Sequence, residues 1–204
     1  MDRSAAEIAR RIGLAREGSP SALDELLEAY RNYVRLLAST SLRRDLRAKA
    51  DPSDVVQETL LKAHQHFHEF RGTTEREWIA WVRQILVRTL ANFHRAFAVQ
   101  GRAVARERSL ESELERSSEM LGRLALAPGP SPSKEAQRRE LGVLVADALA
   151  QLEDADREVV VLRNFEDLGW AEIAERMERT PDAARMHWAR ALRRIAGLLG
   201  KEAS

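Results

Sequence analysis

The 204-residue chain contains no cysteine. That excludes disulfides, thiolate metal sites and a cysteine nucleophile, and it is compatible with a reducing cytoplasm. Long apolar runs are missing as well. No stretch approaches the roughly 20 apolar residues that span a bilayer, and residues 1–16 have no continuous apolar core of the signal-peptide kind. A composition of 44% hydrophobic and 32% charged residues is that of a soluble globular chain; the expected location is cytoplasmic, with no membrane association. Strand patterning is lacking too, since the short run Val159-Val160-Val161 lies within a helical pattern. No glycine-rich phosphate loop, metal triad or nucleophile elbow is present. No enzyme, catalytic residue or cofactor is therefore expected.

The formal net charge of +1 carries no nucleic-acid signal, but its distribution does. Residues 71–108 hold eight arginines against three glutamates, and residues 181–204 hold five basic residues against two acids. Two separated basic patches suit two separate phosphate contacts, although an Arg-rich helical protein without a nucleic-acid partner would carry similar counts.

What is present is helix. Residues 4–17 are amphipathic through Ile8, Ile12 and Ala15. Ser19 caps a second helix that has Pro20 at its first position; Leu23, Leu26, Leu27, Tyr30, Val34 and Leu37 share one of its sides. Asp51-Pro52-Ser53 starts a third, an acid and a proline belonging at a helix start. Val56, Leu60, Ala63, Phe67 and Phe70 face inward along it. Gly72-Thr73-Thr74 breaks the pattern, and a fourth helix over about 75–98 turns Trp78, Val82, Ile85, Thr89 and Phe93 inward. Trp78 and Trp81 read as core residues rather than base platforms, because apolar neighbours surround them. Residues 102–134 are rich in Arg, Glu and Ser and end in Pro128-Gly129-Pro130-Ser131-Pro132. Alternating prolines extend a chain, so this is a linker, with a loose helix around 107–121. Leu141, Leu144, Val145, Ala148 and Leu152, then Val159, Leu162 and Phe165, open a second helical domain.

The sharpest local pattern is at residues 170–192. Residues 170–177 form a short amphipathic helix, residues 178–180 a tight connection, and Thr180-Pro181 the cap and first position of a second helix. That is a helix-turn-helix; an ordinary helical hairpin with a solvated Arg face is the alternative. Ile173, Met177, Ala184, Trp188 and Leu192 are its expected core. Arg185 is free to enter a major groove with Asp182, Met186 and His187 nearby, while Arg190, Arg193 and Arg194 suit phosphates. His64 and His68 have the i, i+4 spacing of metal ligands, but no third ligand accompanies them, so His64, His66 and His68 read as solvated or helix-packed.

Taken together these strings resemble the extracytoplasmic-function (ECF) sigma factors. Residues 51–63, Asp51-Pro52-Ser53-Asp54-Val55-Val56-Gln57-Glu58-Thr59-Leu60-Leu61-Lys62-Ala63, are similar to the D-x-x-D-x-x-Q-E helix of the family's second conserved region. Phe70-Arg71-Gly72 and residues 78–85 resemble its −10 loop and helix. Residues 152–168 and 170–177 resemble its fourth region, and residues 185–194 its promoter-reading helix. The chain departs from the family with His187 where Arg is frequent, Glu178 where the turn has Gly, Ala183 for Thr and Trp170 for Tyr.

The resemblance implies an all-α protein of two small helical domains joined by a linker, the C-terminal one a four-helix helix-turn-helix domain. The implied boundaries are 1–98 for polymerase docking and −10 recognition, 99–134 for the linker, and 135–204 for −35 recognition. It implies RNA polymerase core as partner, with Asp51, Asp54, Gln57, Glu58 and Leu61 docking on the clamp helices of the largest subunit. Without the resemblance, that acidic face reads first as a solvated one. Promoter DNA is the second implied partner. Its −10 contacts would come from Phe70, Arg71, Thr73, Thr74, Arg83, Arg88, Asn92 and Arg95. Its −35 contacts would come from Asp182, Arg185, Met186, His187, Arg190, Arg193 and Arg194. An anti-sigma factor joins the set of partners that members can have. A helix-turn-helix regulator binding a fixed operator is the rival reading, and it has no need of the helix at 51–63.

Overall fold

The computed structural model describes residues 5–41, 51–97, 110, 112, 114–117, 119–120 and 132–202. Among them there is helix and connection but no strand. Most of the expected linker, 98–109 and 121–131, lies outside the described residues. The chain divides into two units, Met1–Arg116 and Ser117–Ser204.

The first unit contains α1 (Ala5–Arg16), α2 (Pro20–Ser41), α3 (Pro52–Gln65) and α4 (Glu75–Phe97). Asp51 starts α3 as expected, its carboxylate accepting from the Ser53 N–H at 2.8 Å; that N–H first, and the Ser53 hydroxyl after it, hold the Asp51 carboxyl below its ordinary pKa. The stripe expected to run unbroken from Val56 to Phe70 is interrupted. Alpha-helix ends at Gln65, and a single 3₁₀ turn, Phe67–Glu69, carries the chain onward. Phe67 and Phe70 are nonetheless buried, as are Val56, Leu60 and Ala63. The helix α2 packs on α1 and α3, and α4 packs on α3 and α2. Two faces of α4 are buried rather than one: Trp78, Val82 and Thr89 on the expected stripe, Ile79, Leu86 and Leu90 on another. A helix covered on two sides exceeds a single amphipathic stripe. Leu110 and Leu114 are also buried, and the described residues between 110 and 120 are helical.

The second unit contains α5 (Pro132–Ala150), α6 (Asp154–Val160), a π turn (Val161–Phe165), α7 (Trp170–Arg176) and α8 (Pro181–Glu202). The long helix α8 packs on α5, α6 and α7. Arg157 joins α6 to the end of α5, donating to the carbonyls of Leu149 (3.0 Å) and Leu152 (2.8 Å). It thereby satisfies acceptors that a helix C-terminus leaves open.

The turn between α7 and α8 follows the Schellman pattern. Arg179 N–H donates to Ala174 O at 2.8 Å, and Glu178 stands in the left-handed region at φ 51°. Thr180 caps α8, its hydroxyl accepting from Ala183 N–H at 3.2 Å. The core of this motif differs from expectation. Ile173 and Ala184 are buried, but Met177, Trp188 and Leu192 are only half-buried, and Ala191 and Ile195 are buried in their place. The reason is periodicity. At about 100° per residue, a step of eight leaves Leu192 some 80° off the Ala184 direction, whereas steps of seven and eleven return to it. Trp188 packs edge-on against Trp170 and gives its indole N–H to Asn164 Oδ1 at 2.9 Å.

Candidate polymerase and nucleic-acid interfaces

The outer face of α3 is built from what its inner face leaves over. Val55, Val56, Thr59, Leu60 and Ala63 are buried. Asp51, Asp54, Gln57 and Leu61 are exposed, and Glu58 is half-buried with Lys62 at 3.0 Å. Leu61 is 52% exposed, one of two large apolar side chains so placed among the described residues. The expected docking residues thus share one face, with an apolar centre and acidic and amide surroundings.

The loop at 70–74 is tied down. Phe70 is buried, its ring 5.4 Å from Trp78 and 5.2 Å from Trp81 between centroids. Phe70, in the expected −10 set, belongs to an aromatic cluster with Phe67, Trp78 and Trp81. Trp78 is buried and Trp81 half-buried. Gly72 is required by space, because a Cβ there would stand 2.6 Å from Glu77 Cβ and 2.6 Å from the Phe70 ring. Thr73 and Thr74 are exposed, but Glu77 Oε2 accepts from both their N–H groups (2.9 and 3.0 Å) and from the Thr74 hydroxyl (2.7 Å). Those donors, the hydroxyl foremost, keep the Glu77 carboxyl below its usual range. This is a capping box starting α4. Arg71 is exposed.

Along α4 the expected basic residues separate. Arg88, Asn92 and Arg95 are exposed, with Arg95 Nη2 donating to Asn92 Oδ1 at 2.6 Å. Arg83 is not with them. It is 8% exposed, and its Nη2 donates to Glu115 Oε2 at 2.6 Å. Helical rotation explains the difference in exposure, since Arg83 shares the buried direction of Ile79, Leu86 and Leu90. Exposed Arg76 and Gln84 were missed as candidates. The signal was available: 76, 80, 84, 88 and 92 repeat every four residues along one helix face.

On α8 the expected set divides similarly. Asp182, Arg185 and Met186 are exposed, Met186 at 72%. Arg185 pairs with Asp182 at 2.6 Å and lies over the Trp170 ring, 5.7 Å from its centroid. Arg193 and Arg194 are exposed. His187 and Arg190, both in the expected −35 set, are engaged with Asp156 of α6. His187 Nδ1 lies 2.6 Å from Asp156 Oδ1, and Arg190 donates to both carboxylate oxygens at 2.7 and 2.8 Å. Nothing about residue 156 in the sequence marks it as their partner. Among the described residues no group of three or more potential ligands could hold a metal ion, and no helix is long and apolar enough to cross a membrane.

Residues 29–98 match the family described as Sigma-70 region 2, and residues 143–195 match Sigma-70, region 4. The chain is 30% identical over 162 residues to the ECF RNA polymerase sigma-E factor of Haemophilus influenzae, covering 79% of each protein. It is 27% identical over 161 residues to the RNA polymerase sigma-H factor of Pseudomonas aeruginosa, covering 79% of this chain and 77% of that one. With a region 2 match in its first unit, a region 4 match over the helix-turn-helix of its second, and a relative 30% identical over most of both chains, the chain belongs to the ECF family of RNA polymerase sigma factors, which direct promoter-specific transcription initiation.

Proposed function

We propose that the α3 face docks on the clamp helices of the polymerase's largest subunit, and that α4 and α8 contact the −10 and −35 promoter elements. The observation that carries this reading is exposed Leu61, set among Asp54, Gln57 and Glu58 on a helix whose other side is core. An exposed apolar side chain ringed by acids and amides suits a partner helix with apolar and basic residues. For the −10 element the contacting set is Arg71, Arg76, Gln84, Arg88, Asn92 and Arg95, all exposed. For the −35 element Arg185 and Met186 reach base edges, arginine to guanine and the thioether to a thymine methyl, while Arg193 and Arg194 meet phosphates. The work is binding and strand capture, with no bond chemistry in the protein, and its place is the cytoplasm, where polymerase acts. An anti-sigma factor would compete for these same faces.

The test adds the full-length protein to bacterial RNA polymerase core on fragmented DNA of its own genome. Discrete protein-dependent start sites, lost with Asp54→Ala plus Gln57→Ala, are the expected result. Duplex binding without core binding or transcripts would favour an operator-binding regulator.

A further inference from the structure

Asp156 is 1% exposed, and its carboxylate faces α8. A buried carboxylate is costly unless its charge is matched and hydrogen-bonded. Here the match comes from two residues one helical turn apart. Arg190 donates Nε to Oδ2 and Nη2 to Oδ1, while the His187 Nδ1–H donates to Oδ1. Arg190 Nη2 and His187 Nδ1 stand 2.8 Å apart, so the two donors converge on one oxygen. Glu153 adds a further negative charge near Arg190 and lies 4.0 Å from Arg194. The Arg190 pair uses only the Nε–Nη2 edge of the guanidinium, and the side chain remains 53% exposed.

We propose that Asp156 is a positioning residue for DNA recognition: it holds Arg190 by one edge so that Nη1 meets a single phosphate beside the upstream promoter element. The inference rests on the assignment of α8 to that element. A free arginine finds any nearby phosphate. A held one favours the register in which a phosphate stands at Nη1, and phosphate contacts of that kind set register while base contacts carry sequence. Loss of Asp156 therefore lowers discrimination more than affinity.

The experiment uses the full-length chain bound to polymerase core. Binding is measured at several salt concentrations to a duplex carrying the upstream element recovered from its own start sites, and to the same duplex with that element scrambled. Asp156→Asn is expected to weaken the matched duplex by about five- to tenfold while leaving the scrambled one within about twofold. Arg190→Ala should weaken both and reduce the salt slope by about 1. The double variant should behave as Arg190→Ala alone. Arg190→Lys, an exposed change that keeps the charge and loses the fork, should reproduce the selective loss without depending on the stability of Asp156→Asn. Equal losses on both duplexes with Asp156→Asn, or no selective loss with Arg190→Lys, would make Asp156 a stability residue only and overturn the proposal. If the unaltered protein binds both duplexes equally, the assignment of α8 fails, and the inference falls with it.

Discussion

The Arg16 guanidinium at the end of α1 donates a 2.6 Å hydrogen bond to the carbonyl of Gly72. One helix is thereby fastened to the loop that precedes α4. The loop is further held by the Glu77 capping box and by the Phe70 ring beneath it. A loop held in this way presents Arg71 and the start of α4 in one arrangement; on the proposed role at the −10 element, that spares the ordering cost of binding.

Gly72→Ala should disrupt this loop. The new Cβ meets Glu77 Cβ and the Phe70 ring within 2.6 Å, and neither is the far end of a free side chain. Overpacking of this kind costs about 1–3 kcal/mol. Thermal unfolding of the full chain should show the loss, and start-site transcription should fall with it. An unchanged melting temperature would show that the loop yields.

Arg83→Ala and Arg88→Ala should separate stability from recognition. Arg83 is buried against Glu115, so its loss should cost about 1–3 kcal/mol in chemical denaturation. Arg88 is exposed, so its loss should stay within about 0.5 kcal/mol yet weaken −10 binding. The reverse pattern would return Arg83 to the DNA-contacting set.

Glu178→Gly should stabilise the second unit. Glu178 occupies a left-handed conformation at φ 51° in the turn before α8. A residue with a Cβ is strained there by about 1 kcal/mol relative to glycine. A rise in melting temperature with unchanged DNA discrimination is the expected outcome; a fall would mean that the glutamate side chain contributes more than the strain costs.

Acid should loosen the second unit through Asp156. Arg190 first, and His187 after it, hold this carboxyl below its ordinary range, against the opposing effect of burial. A carboxylate with a depressed folded pKa contributes stability in full above its unfolded value of about 3.9. That contribution disappears as pH falls through the lower folded value. The stability gap between the unaltered protein and Asp156→Asn should therefore be open at pH 5 and narrow as pH falls below about 3.9. A gap unchanged over this range would show that the charge on Asp156 is not what stabilises the unit.

The helices, their caps and the helix-turn-helix were determined by the sequence itself. Their causes are local: Asp51 and Thr180 cap the residues that immediately follow them, and a 3.6-residue period sorts Leu23, Leu26 and Tyr30 to one side without reference to anything distant. The face of Asp54, Gln57 and Leu61 was legible for the same reason. Tertiary structure alone decided which basic residues remain available. Arg83 and Arg88 lie on different faces of one helix, but only the fold supplies Glu115, the partner that matches the charge of Arg83 on its buried face. His187 and Arg190 lie within a few residues of Arg185, yet their orientation is set by Asp156, 31 and 34 residues earlier in the chain. Periodicity reports the direction of a side chain around its own helix; a buried charge is placed by the partner that neutralises it, and that partner is brought there by the fold.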